Sequence, residues 1–386
     1  MILIHDQILS SVQGTPRFKS YNIALIRTAD VLNEVRMNSK HNLKLSIMTL
    51  ALAGISTQVS AQTTEELERR IAALEEQAET QSSSSNSGLV IAGAVEVEAA
   101  YGEDYAGEAS SDVAVATVEL GLSHEISNEL SANVVLLFEE DDTPLEVDVA
   151  TLTYSPWESF FSFNLGQDYM PFGTYETMMV NDPLTLEIGE TRETAIVANF
   201  ENGPLNAAAY IFNGDQDQNN RDVATQYGAR VGFANDVVAL SADYISNIAE
   251  SDGLQENDYG LAAGADFVAG ASASAVISLS GAQIVAEHVR ALDTLEGDGS
   301  DSEPSATHFE IGFENDVFNY AFAYQVTDEA FFLELPKERI SLGLSKDFYH
   351  GLSMGIELSQ DRDYDIEDGG TDETANNIVF QFAAAI

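Results

Sequence analysis

The chain contains no cysteine, a single tryptophan and few cations: 16 Lys+Arg stand against 64 Asp+Glu, a formal net charge of -48. Without cysteine there are no disulfides and no thiolate metal sites. So few basic residues exclude a general nucleic-acid binder, because phosphate neutralisation needs clustered Lys and Arg. The same balance disfavours docking on anionic lipid surfaces. It suits a protein that handles cations, or one adapted to salty water where charge is screened. Catalytic signatures are missing too. No HExxH, GxSxG or Gly-rich phosphate loop occurs, and His124, His288, His308 and His350 sit in no recognisable motif. The reading is therefore not an enzyme, and no cofactor or bound metal is expected. Acidic clusters such as Asp215–Asp222 and Asp361–Asp368 match no EF-hand spacing and read as solvated loops. Intrinsic disorder is the bland alternative for such acidity. The 14 Tyr and 19 Phe, and the alternation described below, oppose it.

What is present begins with a targeting signal. Residues Met37 to Ala61 carry Lys40 and Lys44, then the apolar run Leu45–Ile55, then Val59-Ser60-Ala61. Basic flank, apolar run and small-residue cleavage site in that order read as a secretory signal peptide. The run is too short to span a membrane as a helix, and no other stretch is long and apolar enough. Residues 1–36 then read as an over-extended start. Thr63 and Glu66 form a capping box. Leu67, Ile71, Leu74 and Ala78 follow in an a/d seam over 62–80. That seam reads as a short periplasmic coiled-coil helix that helps a barrel form a homotrimer, or as a lone amphipathic helix lying against it. Ser-rich residues 81–87 are a linker.

From Gly88 to Ile386 the apolar period becomes two. Leu89, Ile91, Val95, Val97, Ala99 and Tyr101 alternate with Ala94, Glu96 and Glu98. Phe318, Tyr320, Phe322 and Tyr324 form another file, and Tyr259, Leu261, Ala263, Ala265 and Phe267 a third. A soluble β-sandwich would also alternate. Two features favour a membrane. The runs are about nine to eleven residues long, the crossing length of a tilted strand. Connections also differ in kind. Ser127-Asn128-Glu129, Glu201-Asn202-Gly203, Asn235-Asp236 and Asn315-Asp316 are tight turns. Between them lie longer acidic loops: Gly102–Asp112, Gly214–Asp222, Ile248–Asn257, Asp293–Ser305 and Arg362–Thr374. Short turns at one end and long loops at the other mark an outer-membrane barrel of a Gram-negative bacterium. The fold class is all-β, a transmembrane antiparallel β-barrel of roughly 16 strands, with 14 or 18 open because Leu145–Tyr154 and Ala273–Arg290 are ambiguous. Its partners are outer-membrane lipid and the barrel-assembly machinery. The latter would read the final file of Ile378, Phe380, Phe382, Ala384 and Ile386. Tyr154, Trp157, Phe160, Phe348 and Tyr349 beside predicted turns fit an aromatic girdle.

If the apolar file meets lipid, the other file meets water. Glu96, Glu98, Glu119, Asp243, Asp266, His308, Glu310 and Glu357 are expected to face the lumen, joined by Arg230 and Arg339. A pore walled by carboxylates attracts cations. For any one acid the solvated-face reading stands beside the functional one. One connection differs from the rest. Residues 166–193 are long, carry two prolines and an apolar Met178-Met179-Val180, and end in charge. Such insertions are usually functional or disordered, and this one is too apolar for a solvated linker. It is expected to fold inward and narrow the pore, bringing Pro171, Phe172, Gly173, Glu176, Asp182, Glu187, Glu190 and Arg192.

At PFGTYETMMVNDPLTLEIGETRETA, followed by NGPLNAAAYIFNGD, the chain resembles the LbtU-type siderophore porins, outer-membrane barrels that carry signal peptides. The likeness is densest from Val147 to Asp215. It implies a passive channel for small solutes that takes up a ferric siderophore complex without an energised plug. The chain is too short for the roughly 22 strands of a plugged transporter. A general cation-selective porin with no dedicated substrate, and a closed structural or adhesive barrel, are the competing readings.

Overall fold

A computed structural model describes residues 89–140, 143–156, 159–215, 224–257, 266–296, 301–315, 317–348 and 351–385. The predicted signal peptide, coiled-coil helix and Ser-rich linker lie outside the described residues, as do Trp157, Tyr349 and Ile386.

Among the described residues sixteen strands follow one another along the chain. The first eight are β1 (Leu89–Glu103), β2 (Ala109–Glu125), β3 (Leu130–Phe138), β4 (Glu146–Tyr154), β5 (Phe161–Tyr169), β6 (Arg192–Asn202), β7 (Leu205–Asn213) and β8 (Gln226–Ala234). The rest are β9 (Val238–Ile245), β10 (Gly270–Leu279), β11 (Ala282–Ala291), β12 (Ser305–Glu314), β13 (Asn319–Asp328), β14 (Glu338–Asp347), β15 (Leu352–Arg362) and β16 (Thr374–Ala385). Each pairs antiparallel with its sequence neighbours, and β1 closes on β16 through pairs such as Val97 with Phe382. Closure leaves no unpaired edge, which lets strands cross hydrocarbon.

The two side-chain files explain why. In a soluble protein the apolar file would be inside. Here Phe313 is 50% exposed, Leu342 54% and Phe382 47%, while inward Glu310 and Ser341 are 0% exposed. Apolar outside and polar inside is the arrangement of a barrel solvated by lipid, and it replaces the sandwich alternative. Rings gather on the outer surface near the tight-turn end. Phe161 and Phe200 lie 5.3 Å apart, and Phe318 and Tyr320 6.3 Å apart.

Seven connections at one end are turns, among them 126–129, 203–204, 235–237, 280–281 and 315–318. The opposite end carries the long loops, including 170–191, 246–269 and 292–304. Three expectations change. The Gly102–Asp112 stretch is mostly strand, because β1 and β2 run on for 15 and 17 residues and leave only 104–108 between them. The ambiguous Ala273–Arg290 run is a hairpin, β10 and β11, turned at Ser280 and Gly281, both with positive φ. Among the described residues no strand stands between β9 and β10, where Tyr259–Phe267 reads as one. β9 pairs directly with β10, Ile245 against Gly270. Tyr259 to Ala265 lie outside the described residues, and Asp266 and Phe267 precede β10.

Candidate functional site

Loop 170–191, between β5 and β6, is folded into the barrel. Its neck is closed by Met170 N–H donating to Thr191 O at 2.8 Å. Phe172, Tyr175, Leu184, Leu186 and Ile188 are buried in one apolar cluster with inward Val197, Tyr210, Phe212 and Val289 of the wall. Its second half holds a short helix, α1 (Leu184–Gly189), and the β9–β10 connection contributes another, α2 (Asp252–Glu256). Asp252 N–H donates to Glu190 O at 2.8 Å and ties the two segments. Near the neck, Gly173 adopts φ +77°, and a Cβ there would run into the Tyr175 ring, so this turn requires glycine.

An inward loop without regular structure brings backbone N–H groups into the barrel, and each needs an acceptor. Wall carboxylates supply them. Gly173 N–H donates to Asp243 Oδ2 at 3.0 Å, on β9. Glu287 on β11 accepts from Thr174 N–H at 2.6 Å, Tyr175 N–H at 3.0 Å and Thr185 Oγ1 at 3.0 Å. Glu310 on β12 accepts from Thr177 Oγ1 at 2.6 Å and Met178 N–H at 2.8 Å. Glu357 on β15 accepts from Val180 N–H at 3.0 Å and Asn181 N–H at 2.8 Å. The chain then doubles back, and Leu184 N–H donates to Gln325 Oε1 at 2.7 Å on β13. The loop thus follows the inner wall from β9 to β15 and returns. Ionised acceptors make the stronger class of hydrogen bond.

Both inward arginines are tied to aspartates. Arg230 Nε pairs with Asp243 Oδ1 at 2.8 Å, and its Nη2 also donates to Gly173 O. Arg339 grips Asp361 with two bonds of 2.7 and 2.9 Å. Each cation is spent on a local partner, so the acidic file keeps its sign.

The other predicted residues fall in several places. Glu96 and Glu98 on β1 face inward and share the Gln381 side-chain amide, at 3.2 and 2.9 Å. Glu119 lies half-buried on β2. His308 is fully buried, its Nε2 3.5 Å from Glu310 Oε2, and it is the cross-strand partner of Glu287. Pro171 is half-buried in the loop, and Asp182 and Glu190 are buried there. Glu187 sits in α1, where Gly253 of α2 packs against its backbone. Glu176 is half-buried, 3.4 Å from Gln283 Nε2. Burial pushes its carboxyl above the usual range; the Gln283 amide opposes this and the nearby Glu310 charge adds to it. Two residues lie elsewhere. Arg192 reaches Glu146 and Asp148 of β4, at 2.6 and 2.9 Å, at the barrel rim. Asp266 is exposed in the segment before β10, outside the file to which alternation assigns it.

Glu287 and Gln325 are functional positions that the sequence reading missed. Glu287 had a signal: it shares one parity with Val285 and Val289 and alternates with Ile284 and Ala286. The hairpin had to be recognised before that parity had meaning.

The chain is similar to solved outer-membrane barrels. One is the outer membrane channel DcaP of Acinetobacter baumannii, with TM-score 0.57 and 14% identity over 78% of this chain and 98% of DcaP. Another is OmpT, an outer membrane protein of Vibrio cholerae in its trimer form, with TM-score 0.51 and 12% identity over 78% of this chain and 99% of that one. The fold is that of a porin barrel. Among curated proteins the chain is 24% identical to a UPF0422 protein of Coxiella burnetii over 72% of its own length. It spans 64% of that relative, less than two thirds. No family model matches the chain.

Proposed function

We propose that this porin-type barrel forms a passive, water-filled outer-membrane channel with a preference for cations. The observation that carries the reading is a long loop folded inside a closed sixteen-stranded barrel and fastened to its inner wall. A loop in that place narrows a channel and decides what passes. The sign of selectivity follows from the inward file. Its acids outnumber Arg230 and Arg339, and both arginines are neutralised by Asp243 and Asp361.

The signal peptide and the apolar outer file support residence in the outer membrane. The file of Ile378, Phe380 and Phe382 on β16 supports delivery by the barrel-assembly machinery. The trimer form of OmpT supports a homotrimer. Uptake of a ferric siderophore is the finer reading, and it rests on the likeness of residues 171–195 to the LbtU-type porins. An acid-rich lumen is an awkward host for an anionic ferric chelate, so passage of small cations is favoured over it.

The test is single-channel recording in planar bilayers under a salt gradient, with and without a ferric siderophore. A reversal potential of the cation-selective sign is expected. Block at micromolar siderophore would establish the finer reading, and unchanged current would remove it. Negligible conductance from a folded, heat-modifiable protein would replace the channel by a closed structural barrel.

A further inference from the structure

Beside the clamping carboxylates, the wall under the loop tip is stripped of side chains. Gly312 on β12 pairs with Ala321 on β13, Ala321 with Gly343 on β14, and Gly343 with Glu357 on β15. Gly355 lies two residues before Glu357, on the same inward face. Small inward residues on four successive strands, β12 to β15, make a shallow trough. The tip fills it residue by residue. A Cβ on Gly312 would overlap the Met178 sulfur. One on Gly343 would lie 2.8 Å from Met179 Sδ, and one on Gly355 2.9 Å from Val180 Cγ2. Met179 is buried against Ala321 and Ala323, with Met178 packed beside it.

Glycine inside a strand weakens it, and its presence often marks close approach by another segment. Here three such positions face three consecutive apolar side chains of one loop. Glu310 holds the backbone of Met178 at 2.8 Å, and Glu357 that of Val180 and the next residue, Asn181, at 3.0 and 2.8 Å. The two devices divide the work. The carboxylates hold Met178 and Val180 by backbone N–H alone, which any residue supplies, whereas a socket of fixed shape accepts one register.

We propose that Gly312, Gly343 and Gly355 are positioning residues that key Met178, Met179 and Val180 into the wall, and that this seat sets the width of the channel. The proposal rests on the channel reading above. Filling a socket pushes the tip off the wall, because close-packed interiors do not absorb a new side chain without displacement.

The test is a knob-and-hole exchange on the full chain. Gly312→Leu is expected to change single-channel conductance by roughly twofold, since conduction follows pore geometry. Met178→Gly placed on top of Gly312→Leu is expected to restore the wild-type value by returning the lost volume from the other side. Gly121→Leu is the control. Gly121 faces inward on β2, and the nearest atom to a Cβ there is Ala92 O at 3.8 Å; no rescue by Met178→Gly is expected for it. Because the chain has no cysteine, a Met179→Cys/Ala321→Cys pair reports the seat directly through its cross-linking. Cross-linking should fall when Gly312→Leu is added. Unchanged conductance and cross-linking in Gly312→Leu, or a change that Met178→Gly does not reverse, overturns the proposal. Lost cross-linking at unchanged conductance overturns the claim on width. A silent wild-type protein whose pair still cross-links overturns the channel reading and leaves the seat standing.

Discussion

The two sides of the inner wall use the same chemical group differently. On β9, β11, β12 and β15, Asp243, Glu287, Glu310 and Glu357 accept hydrogen bonds from the inward loop. On β1, Glu96 and Glu98 meet Gln381 of the neighbouring strand β16 instead. A carboxylate in an inward file is therefore not one kind of site. Where a loop with unsatisfied N–H groups lies against it, it is a structural acceptor. Where wall meets wall, it is held by a side chain of the neighbouring strand instead. Composition shows the excess of acid, and only the path of the loop sorts its members.

The largest test of this contrast is removal of the loop. Deleting Thr174–Glu187 is expected to raise single-channel conductance severalfold, as a constriction is lost; no change in bilayer recordings would place the loop outside the conduction path. Next comes its most heavily used acceptor. Glu287→Ala leaves three loop donors without a partner, each costing about 1–3 kcal/mol when buried. Flickering current and faster proteolysis between Met170 and Thr191 should follow, while Glu287→Gln, which retains a carbonyl acceptor, should be milder. Equal behaviour of the two variants would deny that acceptance is the role of Glu287.

A smaller effect separates the two walls. Glu96→Gln with Glu98→Gln is expected to move the reversal potential toward zero with little change in loop protection. Glu357→Gln should do the opposite, loosening the tip more than it alters selectivity. If both variants shift selectivity alike, the division between walls is wrong. The smallest effect is on pH. Burial holds the Glu176 carboxyl above the usual range, so on acidification it takes up its proton before ordinary exposed acids do. Cation preference should begin to fall while the outer loops are still ionised, and Glu176→Gln should abolish that early step. A titration of reversal potential that is identical in the two proteins would remove Glu176 from the conduction path.

Much of the barrel was legible in the residues. Phe318, Tyr320, Phe322 and Tyr324 read as one face of a strand; Tyr320, Phe322 and Tyr324 are outward on β13, opposite Ala321, Ala323 and Gln325, and Phe318 lies in the turn just before it. Asn235 and Asn315 were readable as turn residues for a local reason: each side chain accepts from the N–H groups two and three residues on, at 2.9 to 3.1 Å. Reading failed where composition imitated pattern. The Ala- and Gly-rich run ending at Phe267 has strand periodicity, yet β9 and β10 close over its place. Arg192 falls within the connection expected to fold inward, but its guanidinium turns to Glu146 and Asp148 across the sheet. Charge pairing of that kind is long-range and leaves no local trace.

Alternation by itself determined that this chain builds strands with one apolar and one polar file, because side-chain direction in a strand depends only on parity. Turn residues then divided the two ends. Tertiary structure alone decided what the inward acids do, since that depends on which backbone comes to rest against them. It also decided the sockets at Gly312, Gly343 and Gly355. A missing side chain acquires meaning only when another segment, more than a hundred residues away in the chain, occupies the space it leaves.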